Sequence, residues 1–326
     1  MVHLSETKPL SPTLQAVARG RTCDVLGLTL LHGVRADLLE ALRLIPGLGP
    51  HLEPLRDEDT WGSEHYRVLD RSVPPVESLF LGADGLVGGD IAAQARRDML
   101  ADGLRLTPTS SPDHLGLQLA WLSHLLGAES DALEDGRADL AEALRERQRR
   151  ALDDHIFRYI LPLTEAIGSI ESPLYLHLMQ ALCAVLFDLR RTLEAEPTQW
   201  SLPPIAQPLT HPEHGLRDIA SWLCIPSRAG IYLTLPAIQR IGRELDIPSG
   251  FGRRVDCLES LLHGAVRFEA FPKLIAQLDS HMAQVQESRS RLPVPRESIK
   301  PWSERLSATR AQLNRMVEGA AHNDLA

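Results

Sequence analysis

The sequence predicts an all-α protein, a globular multi-helix domain followed by a smaller helical C-terminal extension. Three observations carry this expectation. Leu115, Leu119, Leu122 and Leu126 recur at steps of three and four residues, the spacing that lines one face of a helix. Leu140, Leu144, Leu152 and Ile156 repeat the pattern with some slippage. Alternation of β-branched and polar residues, the mark of a half-buried strand, is nearly absent.

The elements follow in order. Helix starts are legible as Ser-Pro pairs, in which the hydroxyl caps a free backbone N–H and the proline has none to leave unpaired. Ser11-Pro12 opens a helix expected to run into "LLEALRLI" and to stop at Pro46-Gly47. Ser111 and Pro112 serve as cap and first residue of the leucine-rich run, and Asp113 then meets the positive end of that helix's dipole. Arg149 and Arg150 are expected on a solvated helix face. Ser172-Pro173 opens "SPLYLHLMQALCAVLFDL", a helix buried on nearly all sides, with Pro197 after its end.

The proline-rich stretch "QWSLPPIAQPLTHPEHG" marks a boundary. The expected organisation is a helical domain over 1–198, a linker over 199–215 and a helical extension over 216–287. Residues 288–326 are expected to form an exposed linker, "SRSRLPVPRESIKPW", and a short amphipathic tail.

Composition excludes several classes. Of 326 residues, 44% are hydrophobic and 24% charged, which suits a folded globular protein. A formal net charge of −9 argues against a nucleic-acid surface; it fits a cationic partner better, although surplus acid usually serves only to keep a protein soluble. Cys23, Cys183, Cys224 and Cys257 lie far apart, without metal-ligand spacing, and read as reduced core residues. "MVHLSETKPLSPTLQAVARG" does not read as a secretory signal, and the longest apolar run is broken by His177, Gln180 and Asp188. A cytoplasmic location without stable membrane insertion is expected.

No familiar catalytic motif occurs. "GADGLVGG" has the wrong glycine spacing for a dinucleotide site, and His211 with His214 lacks a third metal ligand. A helical metal-dependent hydrolase would use Asp113 and His114 with Asp153, Asp154 and His155 of "DDHIF", but neighbours in sequence point to different faces of a helix. Asp113-His114 is the sharper feature. Helix-start chemistry accounts for Ser111, Pro112 and Asp113; it does not account for His114, which a ligand would explain. Glu77 in "PPVESLF" either caps locally or lends acid to a groove beside Asp113. Trp121 and His124 read as core and edge residues.

The stretch "VPPVESLFLGADGLVGGDIAAQARRDMLADGLRL", followed at once by "TPTSSPDHLGLQLAWLSHLL", resembles the TorD/DmsD/NarJ family of cytoplasmic chaperones for molybdenum-containing oxidoreductases. The resemblance covers roughly Thr13 to Leu193, and Pro-Asp-His-Leu at its centre is the most specific part. It continues through "ALDDHIFRYILPLTEAI" and a buried helix containing Tyr175. "WLCIPSRAGIYLTLPAIQRIGRELDIPSGFGRRVDCLESLL" resembles a C-terminal extension of some similar proteins, either a buttress on the core or a second contact surface.

The resemblance implies an all-α, TorD-like fold without enzymatic turnover, catalytic residues, metal or bound cofactor. The implied partner is the apo-form of a molybdopterin oxidoreductase catalytic subunit, held by its N-terminal twin-arginine signal peptide or a related segment while its cofactor is inserted and export or membrane assembly is delayed. Asp113 and His114 match the family's Asp-His element and carry over as client-peptide-binding residues; Pro112 and Glu77 are expected to join them in the peptide groove. Some members have an acid just before this element, where this chain has Ser110 and Ser111. A homodimer by exchange of elements across the proline-rich hinges is a further expected partner.

Overall fold

A computed structural model describes residues 11–54, 57–193, 196 and 198–323. In chain order its helices are α1 (Pro12–His32), α2 (Leu39–Arg43), α3 (Gly49–Leu52), α4 (Glu58–His65), α5 (Glu77–Leu81), α6 (Gly89–Ala101), α7 (Leu115–Glu134), α8 (Ala138–Arg150), α9 (Phe157–Gly168), α10 (Pro173–Arg191), α11 (Leu216–Leu223), α12 (Pro226–Ala229), α13 (Leu235–Glu244), α14 (Arg254–Arg267), α15 (Phe271–Ser288) and α16 (Arg296–Asn323). A π-helical turn over Ala151–Ile156 joins α8 to α9. Among the described residues there is no strand, and one isolated antiparallel bridge pairs Val76 with His114. The fold is all-α.

Ser11 caps α1 through its hydroxyl, which accepts from Leu14 N at 3.3 Å. The helix does not run on into residues 39–45, as its leucine spacing led us to expect. Gly33 takes φ 79° and ends it, and the chain restarts as a 3-10 turn at Ala36–Leu38 ahead of α2. Periodicity hides the break because Leu30, Leu38 and Leu42 are buried on both sides of it.

α1 packs along α7, and glycines bring the two backbones together. A β-carbon on Gly27 would lie 2.9 Å from the Gly116 carbonyl oxygen, and one on Gly116 would lie 2.5 Å from Leu31 Cγ. Leucines of α7 and α10, with Phe157, Tyr159 and Tyr175, fill the first apolar core. A second core gathers α11 and α13–α16 around Trp222, Ile238, Leu261, Leu278 and Leu313.

The region expected to be an exposed linker is instead packed. Arg289 is 1% exposed and Trp302 is fully buried. The Arg289 guanidinium pairs with Glu165 at 2.8 and 3.1 Å and donates to Gly230 O at 2.6 Å. Trp302 Nε1 donates to Arg158 O at 2.7 Å. Charge and proline read as solvent-facing because every partner lies far back in the chain; Arg289 and Glu165 are 124 residues apart.

The stretch over 199–215 is non-helical, yet Leu202 and Leu209 are buried within it and Leu209 N donates to Gln312 Oε1 at 2.7 Å. Pro197 lies outside the described residues. Arg149 is likewise not solvated as expected: it bridges Glu146, Asp153 and Thr198, and Arg150 alone is exposed. The four cysteines are buried and free. No helix among the described residues is long and apolar enough to cross a membrane.

Candidate functional site

Two short segments cross beside the first apolar core, and the site is built from them. Proline at 74 and 75 keeps the entry to α5 extended, and Arg96 holds the approach to α7 by donating to Thr107 O and Ser110 O at 3.2 and 2.7 Å. At the crossing, Glu77 N donates to Asp113 O and Leu115 N to Pro75 O, both at 2.8 Å.

Asp113 caps a helix, but not its own. Its carboxylate, 1% exposed, accepts from Ser78 N at 3.2 Å and Ser78 Oγ at 2.5 Å, so it supplies the cap that α5 lacks at Val76. Ser78 Oγ in turn accepts from Gly88 N at 2.8 Å, which ties down the glycine-rich loop. The other carboxylate oxygen, Oδ1, is buried without a hydrogen-bond partner among the described residues.

With Asp113 turned away, the cap of α7 falls to His114 rather than to Ser111, and the helix begins at Leu115 rather than Pro112. His114 Nδ1 accepts from Gly116 N at 3.1 Å. Burial, with His65 nearby, pulls the imidazole down to about 4, so the neutral ring has the free lone pair the cap needs. Pro112 is buried beside it, Ser111 is exposed, and His114 is partly exposed.

Glu77 faces inward. It is 1% exposed, and its Oε2 accepts from Gln118 Nε2 at 2.7 Å and pairs with His155 Nδ1 at 3.0 Å. Tyr159 OH donates to Gln118 Oε1 at 2.8 Å, and His155 Nε2 reaches Asp98 Oδ2 at 3.1 Å. Burial works against a charged His155, but its bonds to Asp98 and Glu77 outweigh it and lift the imidazole to about 9. The chain Asp98–His155–Glu77–Gln118–Tyr159 is thus a polar spine through an apolar core. It surfaces in a cavity of about 290 Å³ lined by Asp98, Asp102, Trp121, Arg150 and Asp154.

The spine is suited to holding shape. Both imidazole nitrogens donate to carboxylates, so His155 cannot act as a base without breaking the core. Asp153 points elsewhere, to Arg190 at 2.8 Å and Arg149 at 3.3 Å, so the "DDH" cluster does not converge on one point. No group of three or more His, Cys, Asp and Glu that could hold a metal ion occurs among the described residues. Of the four sequence-chosen residues, Pro112, Asp113 and His114 stand on one segment of the crossing and Glu77 on the other. Asp98, Gln118 and Tyr159 were not found by sequence reasoning, and His155 was weighed only as a metal ligand. The available signal was a histidine between Leu152 and Ile156, on a buried helix face.

Fold and site together define an all-α protein organised around a buried polar crossing. Residues 36–165, which contain that crossing and the spine, match the family model described as nitrate reductase delta subunit. Over that stretch, less than half of its length, the chain is similar to the NarJ/TorD-type family, whose general role is the assembly of molybdoenzymes as chaperones. No curated protein and no solved structure matches the chain.

Proposed function

We propose that this protein is a cytoplasmic chaperone without enzymatic turnover. It holds the precursor of a molybdopterin-containing oxidoreductase by its N-terminal twin-arginine signal or a related segment, assists cofactor insertion and delays export or membrane assembly. The observation that carries this reading is the family match over residues 36–165, which encloses Glu77, Pro112, Asp113 and His114.

The crossing is the client-binding element in this reading. Asp113 keeps one oxygen, Oδ1, without a partner among the described residues, and a leader guanidinium would supply the missing donor once the exposed Ser111 turn opens. Glu77 holds the crossing from inside, while Pro112 and His114 set the entry to α7. A net charge of −9 favours encounter with a basic leader.

The test is calorimetric titration of the full chain with a synthetic twin-arginine leader peptide. Wild type binds, and Asp113→Asn combined with His114→Ala binds at least about tenfold more weakly, a loss of about 1.4 kcal/mol. Unchanged affinity in the double variant removes the site assignment. Failure to bind any leader, together with no molybdoenzyme precursor co-purifying from the native cytoplasm, removes the function. Light scattering on the same samples reads the homodimer directly.

A further inference from the structure

Between the non-helical stretch 199–202 and the first half of α16 lies a trough of about 600 Å³. Trp200, Leu202 and Pro301 give it apolar walls, and Arg296, Lys300 and Arg305 face Glu297 and Glu304 around it. Three cations against two carboxylates leave one positive charge, on a chain whose formal net charge is −9.

Arg305 is the fixed point. Its guanidinium is half-buried and donates to Ser227 O and to Pro203 O, the latter at 2.8 Å, and no carboxylate pairs with it among the described residues. Two carbonyls hold the plane of the fork, and its remaining N–H groups have no partner among the described residues. Trp200 is steadied by Arg158, 5.4 Å from its ring centroid, and by the edge of Trp302 at 6.4 Å. Along 199–202 no backbone hydrogen bond is made among the described residues, which leaves donors and acceptors for an incoming chain.

We infer that this trough docks an extended segment of a partner protein carrying one carboxylate among apolar residues. The carboxylate seats on the Arg305 fork, the segment's backbone pairs along 199–202, and its apolar side chains cover the partly exposed Trp200. A single excess positive charge matches one carboxylate; a polyphosphate would bring more negative charge and meet Glu297 and Glu304. All of the residues that line the trough lie outside 36–165, so the inference does not rest on the crossing or on the function proposed for it.

The experiment is selection of a randomised nonapeptide library on the full-length protein. Enriched peptides carry Asp or Glu at one position between apolar residues, and a synthesised winner loses at least about tenfold in affinity, about 1.4 kcal/mol, against Arg296→Glu/Lys300→Glu. Both positions are exposed, so that variant folds. Arg305→Lys, which keeps the charge but not the fork, weakens binding as well. No enrichment, enrichment without an acid, or affinity unmoved by the charge reversal overturns the inference. So does a rise in unfolding temperature with inorganic pyrophosphate that the reversal abolishes, which would assign the trough to a small anion. Enrichment of this chain's own segments would make a second copy the occupant and likewise overturn it.

Discussion

The Asp113 carboxylate lies 2.5 Å from the Ser78 hydroxyl, 35 residues earlier in the chain, and caps the helix that Ser78 belongs to. Asp113→Asn is therefore expected to cost about 2 kcal/mol, the scale of a hydrogen bond to a charged group. Ser78→Ala added to it should cost little more, because both changes break the same contact. Denaturant midpoints of the two single variants and the double give the answer, and full additivity would show that the pair does not act as a unit.

His155 sets a limit on the alkaline side. Its folded pKa, about 9, lies above the ordinary 6.5, so the folded state holds the proton more tightly. The stability this contributes is complete below about pH 6.5 and is lost as pH rises through about 9, on the order of 3 kcal/mol. His155→Gln should lower stability near pH 6 and flatten the profile from 6.5 to 9, read by urea unfolding across that window.

His114 acts in the opposite direction. Its folded pKa, about 4, lies below the ordinary 6.5, so its contribution is complete above pH 6.5 and is lost as pH falls toward 4. His114→Asn keeps a side-chain acceptor for Gly116 N and removes the titration. The acid limb of the stability curve should become shallower, and an unchanged limb would place the sensitivity elsewhere.

Gly116→Ala tests the contact between α1 and α7. The added methyl would stand 2.5 Å from Leu31 Cγ and 2.7 Å from Gly27 O, so one helix has to move. Overpacking of this kind costs about 1–3 kcal/mol. Gly127→Ala on the same helix meets nothing within 4 Å and serves as the control, expected to be neutral or slightly stabilising in thermal unfolding.

Arg289→Met tests how the extension is attached. Arg289 and Glu165 are both buried, with side chains 1% and 4% exposed, and removal of one partner leaves a charge stranded, at about 3–5 kcal/mol. Arg289→Met with Glu165→Leu should recover most of that loss. Limited proteolysis should cut Arg289→Met faster than wild type at the junction near 289–295, and equal rates would mean that other contacts hold the extension.

Much of the helical content was legible in the residues, because caps and periodicity are local. Ser11 and Ser172 cap where their Ser-Pro pairs predict, and Leu115, Leu119, Leu122 and Leu126 are all buried. The Pro-Asp-His-Leu element also stood out as something more than a helix start. Its partners did not, because the residues that pair with it are distant in sequence: Ser78 for Asp113, and Gln118 and His155 for Glu77.

The sequence by itself thus determined the class of fold, the helix starts at Ser11-Pro12 and Ser172-Pro173, and the segment on which the site is built. The tertiary structure decided which helix Asp113 caps, which way Glu77 faces, and that Arg289, Val294 and Trp302 are buried in a stretch expected to be exposed. The reason is physical. A helix face is set by neighbours three and four residues away, whereas a buried charge takes whichever partner the packed chain brings within about 3 Å.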